Sequence, residues 1–463
     1  MTTIEHYIHR NAELYPDKIA MVCLTEQSEE RISWAQVDAM VDEKAELLRA
    51  TYQKGQVVCL KADFGTDFLI TYFALHRMGC VAAPMERNMP EAAFQKVAGI
   101  LESQQVPKGS ADILYTTGTT GQSKGVIISH EAIIANAENL ISGQMFQHNL
   151  AFVINGPLNH IGSLSKIYPI VMLGATMVLT DGLKDMNIFF KALDYPEAKT
   201  ATFLVPASIR IIIQMAAGRL AELAHKIDFI ETGAAAISHS DMLTLCRLLP
   251  HSRLYNTYAS TETGIISTYN FNDGRCIPGC LGKPMRHSNI IITPDGLIAC
   301  GGKTLMTGYV NGNGNGNVNR NGNVNGNENR NGNVNRNENG DGLIYTSDIG
   351  HIDEEGMLHL EGRSDDVINV GGYKVAPTEV ENATMTIQGV RDCVCIAVEN
   401  NITSSALKLL VVIDDGITLN KKAIATQLKE RLEPYKIPLL YEQVDTIKRT
   451  FNGKIDRKQY SKK

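Results

Sequence analysis

Between Tyr115 and Gly125 the chain sets four threonines (Thr116, Thr117, Thr119 and Thr120) around Gly118 and Gly121 and then reaches Lys124. Apolar runs, Ile113-Leu114 and Val126-Ile127-Ile128, bound the stretch on either side. Those residue types suit a polyphosphate. Glycines let several backbone N–H groups converge on oxygens, hydroxyls add donors, and the lysine supplies charge. The spacing differs from that of the common nucleotide-binding P-loop, because Ser123 and Gly125 flank the lysine where that motif requires Gly-Lys-Ser/Thr. Further stretches with chemical capacity follow: Thr232-Gly233-Ala234-Ala235-Ala236, Asn256-Thr257-Tyr258-Ala259-Ser260-Thr261-Glu262 and Tyr345-Thr346-Ser347-Asp348. Gly362-Arg363-Ser364-Asp365-Asp366, Gly371-Gly372-Tyr373-Lys374 and Arg449-Thr450-Phe451-Asn452-Gly453-Lys454 complete the series. Taken alone, the segment ending in Glu262 reads as a helix start and Lys454 as a solvated charge. Their order along the chain changes that reading.

In that order the segments resemble the motifs of the adenylate-forming superfamily, which contains acyl-CoA synthetases, luciferases and peptide-synthetase adenylation domains. The resemblance runs from Ile32-Ser33-Trp34 to Lys458. It implies a phosphate loop at 116–124 that binds ATP, with Thr116, Thr117, Gly118, Thr119, Thr120 and Lys124 as its contacts. It places Gly233 and Ala234 in the turn that approaches the nucleotide base and acyl group, and Asn256 and Tyr258 at the base. Thr261 would contact phosphate, and Glu262 would hold Mg²⁺, a cation that requires hard carboxylate oxygens. Asp348 would bind the ribose hydroxyls with help from Arg363, and Asp365 would be the hinge of a mobile C-terminal domain. Gly371, Gly372 and Lys374 would line the tunnel for a pantetheine arm. Lys454 would be the catalytic lysine, neutralising charge on the α-phosphate as the carboxylate attacks. The sequence departs from the pattern at Ser123, Ala259 and Lys374, where the family usually carries Pro, Gly and Arg. The span from Pro84 to Tyr115 is also short for the family, so elements of the amino-terminal body must be missing or abbreviated there.

The acid is expected to lack an amino group. Amino-acid-activating relatives carry an aspartate in the stretch that here reads Gly156-Pro157-Leu158-Asn159-His160-Ile161-Gly162, and burying an ammonium without a partner charge is costly. His160 resembles the histidine that borders the adenylate channel in acyl- and aryl-CoA synthetases, although a purely structural histidine is the alternative. A fatty or aryl acid is therefore expected. The acceptor is expected to be the thiol of CoA, with a separate acyl carrier protein as the other possibility, since both present pantetheine. A non-catalytic nucleotide or adenylate sensor is disfavoured by the presence of both Lys454 and Glu262.

The elements that must position these residues alternate. Val57-Val58-Cys59-Leu60, a helix over 66–78 and Val81 to Met85 read as strand, helix, strand, a rhythm that builds parallel sheets. More strands are expected at 151–154, 176–180, 202–205, 227–231 and 290–293. Strands at 394–398 and 408–413 and a helix from Lys421 to Glu433, ending before Pro434, form a smaller tail. The expected fold is a large multi-subdomain α/β body over 1–364 with a small α+β C-terminal domain over 365–463. Residues 311–340, nearly all Asn and Gly with Val, Arg and Glu interspersed, offer no apolar face at any period and read as a disordered loop. The 463 residues, 44% of them hydrophobic, are ample for this core. A net charge of −6 with no basic stripe gives no reason to expect nucleic acid. Nine scattered cysteines without metal-site spacing read as buried thiols in a reducing compartment. No basic start with an apolar run behind it and no span of some 20 apolar residues occurs, so the expectation is a soluble, cytoplasmic protein.

Overall fold

The computed structural model describes residues 2–116, 124–310, 334–336, 342–371, 373–400, 404–414, 420–449 and 455–460. Its largest sheet has fourteen strands. The centre is parallel and runs, neighbour by neighbour, Arg253–Ser260, Ile227–Thr232, Lys199–Phe203, Leu150–Ile154, Thr176–Leu179 and Ile19–Leu24. Both faces of these strands are covered, which is why Leu150–Ile154 and Ile19–Leu24 read as unbroken apolar runs. Along Leu150–Ile154, residues Leu150, Phe152 and Ile154 enter one core and Ala151 and Val153 the other, as a period of two requires. Beyond Arg253–Ser260 the sheet turns antiparallel through Gly264–Asn270, Cys280–Pro284, Leu358–Arg363, Gly342–Ile352, Leu297–Gly302 and Ser288–Ile292.

A five-stranded sheet orders Gly308–Tyr309, Gly125–Ser129, Ser110–Tyr115, Val81–Met85 and Val57–Lys61. The helix Thr66–Met78 is buried on nearly every side because it lies between the two sheets. A buried carboxylate ties this layer together. Asp112 accepts from Tyr72 Oη at 2.9 Å and Tyr168 Oη at 3.2 Å, and its other oxygen lies 3.0 Å from His76 Nε2. Tyr168 belongs to the helix Ile161–Leu173, so one aspartate on the strand leading to the phosphate loop also fixes the helix that begins after His160.

The short span after Pro84 is a single crossover. Val81–Met85 is followed by the helix Glu91–Leu101 and then by Ser110–Tyr115, which pairs directly and in parallel with Val81–Met85. The C-terminal part is α+β, as expected. Val390–Asn400, Ser404–Ile413 and Leu440–Gln443 form a sheet on which the helices Pro377–Met385 and Lys421–Lys429 pack through Val380, Ile424 and Leu428.

Most expected elements occur, with three corrections. The strand expected at 202–205 is Lys199–Phe203. Its polar start hid it, since Thr200 and Thr202 satisfy their hydroxyls on the Leu193 and Val153 carbonyls. The helix from Lys421 ends at Lys429, and Pro434 opens a short 3-10 turn instead of terminating the helix. Most of 311–340 lies outside the described residues, but Val334–Arg336 pairs antiparallel with Gly342–Ile352 where only irregular chain was expected. The nine cysteines form no disulfide, and all are buried except Cys246, which is half-buried. Among the described residues no helix is long and apolar enough to cross a membrane.

Candidate active site

The glycine–threonine stretch joins two antiparallel strands, Ser110–Tyr115 and Gly125–Ser129. Tyr115 lies opposite Gly125, and the Thr116 N–H donates to the Lys124 carbonyl at 3.0 Å, closing the base of the loop. Gly308–Tyr309 adds to the same sheet edge with Tyr309 opposite Val126, and the Val310 N–H donates to the Gly125 carbonyl at 2.8 Å. Tyr309 is thereby held beside the loop. The Lys124 ammonium lies 5.0 Å from its ring centroid, and its hydroxyl donates to Glu262 Oε1 at 3.2 Å. Burial and the adjacent carboxylate raise the Tyr309 pKa, which keeps the hydroxyl a donor.

Glu262 reaches this place through a hairpin, not a helix start. It lies between the strands Arg253–Ser260 and Gly264–Asn270, with Thr261 beside it. The turn is locked reciprocally: Thr263 N–H donates to Ser260 Oγ at 3.0 Å, and Ser260 N–H to Thr263 Oγ1 at 3.1 Å. The Met306 N–H then donates to the Glu262 carbonyl at 2.8 Å, joining the turn to the segment that carries Tyr309.

A second cluster forms around Asp348. Tyr258 Oη donates to Asp348 Oδ2 at 2.7 Å and lies 3.5 Å from Thr346 Oγ1. Burial and the nearby Asp348 charge raise the Tyr258 hydroxyl well above its ordinary pKa. Strand register sets Asp348 opposite Arg363, whose Nε is 3.9 Å from Asp348 Oδ1. Asn256, on the same strand as Tyr258, spends its amide on the Cys280 carbonyl at 3.1 Å and so ties in the strand Cys280–Pro284, one strand further along the sheet.

The turn after Ile227–Thr232 packs against the strand that carries Tyr258. A Cβ on Gly233 would stand 2.9 Å from the Thr257 carbonyl oxygen, so no larger residue fits without movement. Ala234 takes φ = 66°, a left-handed conformation that costs a non-glycine residue energy. His160 immediately precedes the helix Ile161–Leu173, and burial lowers its pKa against the opposing charge of Glu86. Glu86 also accepts from Asn159 Nδ2 at 3.5 Å, so a carboxylate that the 156–162 stretch lacks arrives from another part of the chain.

In the C-terminal part Asp365 lies in the 3-10 turn Ser364–Asp366, directly after Arg363. Gly371 has φ = 58° and turns the hairpin of Ile368–Val370 and Tyr373–Val375, in which Lys374 pairs opposite Asn369. Arg449 and Ile455 form an antiparallel bridge around the Lys454 segment. Thr117, Gly118, Thr119, Thr120, Gly372 and Lys454 lie outside the described residues. The structure thus brings Lys124 to Glu262 and Tyr258 to Asp348 and Arg363. Sequence reasoning missed Tyr309, which reads only as the residue before the Asn/Gly stretch, and Glu86, which carries no local motif.

Among the described residues no three His, Cys, Asp or Glu side chains cluster as a metal cage. A single carboxylate near a phosphate loop still suits Mg²⁺, which takes one or two protein carboxylates and completes its shell with phosphate oxygens and water.

Two stacked α/β layers with a glycine–threonine hairpin loop at their edge, followed by a small α+β domain, are the architecture of the adenylate-forming enzymes. The chain belongs to the AMP-binding enzyme family: that family's model matches residues 8–106 and 101–310, and the AMP-binding enzyme C-terminal domain matches residues 379–454. The break in the first match falls between Glu91–Leu101 and Ser110–Tyr115, where the crossover is short. The 4-coumarate–CoA ligase-like 6 of Arabidopsis thaliana is 25% identical over 372 residues, 75% of this chain and 61% of that protein. The chain thus spans about three fifths of that relative's length. A long chain fatty acid–CoA ligase, VraA, of Staphylococcus epidermidis is 22% identical over 100% of this chain and 98% of its own. Among solved structures, ATP-bound MatB from Rhodopseudomonas palustris superposes with a TM-score of 0.81 at 20% identity, covering 99% of this chain and 98% of that one.

Proposed function

We propose that this chain is an AMP-forming acid–thiol ligase acting on a fatty or aryl carboxylic acid. The observation that carries the proposal is the pair of clusters, one joining Lys124 and Glu262 through Tyr309 and one joining Tyr258 and Arg363 to Asp348. Lys124 with Glu262 suits the phosphate end of a nucleotide, and Asp348 with Tyr258 and Arg363 suits its ribose and base end. In the first half-reaction a substrate carboxylate oxygen attacks the α-phosphorus of ATP, the bond to the bridging oxygen breaks, and pyrophosphate leaves. Lys124 and the threonine hydroxyls of the loop hold the departing phosphates, Thr261 contacts phosphate, and Lys454 offsets charge on the α-phosphate. Glu262 would hold Mg²⁺, which would supply charge neutralisation at the phosphate oxygens. Asp348, acceptor-only when ionised, takes the ribose hydroxyls. In the second half-reaction the CoA thiol attacks the acyl carbon and AMP leaves, with Gly371 and Gly372 keeping the path open to the pantetheine arm. His160 stands at the edge of the channel between the halves. The CoA-ligase names of the coumarate-like and staphylococcal relatives support this acceptor. A separate acyl carrier protein would offer the same thiol.

The test is pyrophosphate release across fatty, aryl and amino acids, with and without CoA. Release with a fatty or aryl acid, and acyl-CoA formed only when CoA is present, is expected. Release with amino acids alone would refute the proposed substrate class.

The Asn/Gly stretch is expected to be dispensable to this chemistry. It separates Tyr309, beside the loop, from the strand carrying Asp348, and the cost of closing a loop grows only with the logarithm of its length. Replacing residues 311–340 with a short Gly-Ser link should leave kcat within a few-fold. A hundred-fold loss would assign the stretch a role in the site.

A further inference from the structure

A lysine that the proposed chemistry does not use sits against a base at the edge of the body. The helix Ile161–Leu173 is capped by Gly174, and its last carbonyls need donors from outside the helix. Asn11 Nδ2 donates to the Val171 carbonyl at 2.7 Å, Arg10 Nη2 to the Met172 carbonyl at 2.5 Å, and His148 Nδ1 to the Leu173 carbonyl at 2.7 Å. A carbonyl oxygen only accepts, so His148 carries its proton on Nδ1 and presents the lone pair of Nε2. That lone pair faces Lys18, whose Nζ is 3.1 Å away and also donates to the His148 carbonyl. The Tyr15 ring, with its centroid 4.4 Å from that of the imidazole, packs against the base.

Partial burial, with no carboxylate opposing it, lowers the Lys18 ammonium to about 8. On the order of a tenth of it is then free amine at neutral pH, against less than a thousandth, roughly, for a lysine at its ordinary value. The pair is half-buried and open to solvent. Lys18 follows the exposed Tyr15, Pro16 and Asp17, and His148 stands between the exposed Gln147 and Asn149. A nucleophile, a base within hydrogen-bond reach and a third group that orients the base are the parts of an activated nucleophile. We propose that Lys18 is a covalent modification site that takes the acyl group of an acyl thioester, with His148 as its base. The ammonium gives one proton to His148 Nε2, and the Nζ electron pair attacks the thioester carbon. The C–S bond breaks, the leaving thiolate takes a second proton from the nitrogen, and an amide remains. His148 then returns its proton to water. The donor is the class of product assigned to the chain above, but the reactivity of Lys18 stands on its own geometry and not on that reading.

The experiment incubates the full chain with butyryl-CoA near neutral pH and reads the rate of butyrylation at each lysine by peptide mass spectrometry. ATP is left out, so no acyl-adenylate forms and failure of the acid-activating reading cannot change the result. In the native protein Lys18 should be modified about ten-fold or more faster than the exposed Lys54, Lys421 and Lys422, through its larger free-amine fraction and its base. His148→Asn keeps an N–H for the Leu173 carbonyl and removes the imidazole base. It should bring Lys18 down to the rate of the exposed lysines without changing theirs. Lys18→Arg should abolish the label at this position. Modification of native Lys18 no faster than that of the exposed lysines would overturn the inference, whether or not the variants fold. A folded His148→Asn variant that keeps the native rate at Lys18 would overturn it as well.

Discussion

Lys454→Ala is expected to lower ATP–pyrophosphate exchange by about a hundred- to a thousand-fold, the usual cost of removing one preorganised group from a developing charge. Thioester formation from supplied acyl-adenylate should stay within about three-fold of native, a margin far below the loss expected for a group acting in that step. The asymmetry follows from charge. In adenylation the α-phosphorus passes through a crowded anionic state as pyrophosphate departs, and a cation there stabilises the transition state more than the ground state. In the thioester step charge builds on the acyl oxygen and on the departing AMP oxygen, at a stage when the small domain is expected to have turned Lys454 away from the phosphate. The C-terminal family match ends at Lys454, and the Arg449–Ile455 bridge closes the backbone around its segment. The check is to assay the half-reactions separately. Equal losses in both would remove Lys454 from the adenylation role.

Asp365→Pro should divide the half-reactions through motion, not charge. Arg363 is paired by strand register with Asp348 of the body. Asp366, three residues on, accepts from Arg457 at 3.1 Å, and Arg457 also grips Glu381 at 2.8 Å. The pivot is expected between these two sets of contacts, at Asp365. A swing of the small domain must also release Asp392, which bridges Arg210 of the body at 3.4 Å and Arg449 at 2.8 Å. That partly exposed contact is cheap to break, on the order of 1 kcal/mol or less. Proline fixes φ near −65°, whereas a hinge works by a large φ/ψ change at very few residues. Pyrophosphate exchange should persist within a few-fold while CoA-dependent turnover falls at least ten-fold. Normal thioester formation would move the pivot to Ser364 or Asp366.

Local pattern carried much of the fold. The helix Thr66–Met78 and the strand Val81–Met85 fall on the expected residues, because continuous burial leaves a continuous apolar signature. The antiparallel half of the large sheet was less legible. Its strands Leu297–Gly302, Gly342–Ile352 and Leu358–Arg363 mix glycine, histidine and acids with a weak apolar period. The site divides in the same way. Lys124, Tyr258, Glu262 and Asp348 stand in ordered motifs, whereas Tyr309 and Glu86 depend on tertiary neighbours that no local spacing encodes. Asn256 was legible as a site position, but its amide is committed to the Cys280 carbonyl, which only the sheet order reveals.

The cysteines have a consequence for the proposed chemistry, which would generate a mixed anhydride beside the chain's own side chains. Such an anhydride acylates any thiolate it meets, and the thiolate, not the thiol, is the nucleophile. Burial lifts the pKa of all nine cysteines, that of Cys23 to about 11 and those of Cys59, Cys246 and Cys300 to about 12. At neutral pH the protein's own sulfurs therefore stay protonated, and at Cys300 the charge of Asp348 adds to burial in disfavouring the thiolate. Self-acylation at sulfur is suppressed by the same packing that builds the core, and an incoming pantetheine thiol is left without an internal thiol competing for the activated acyl group.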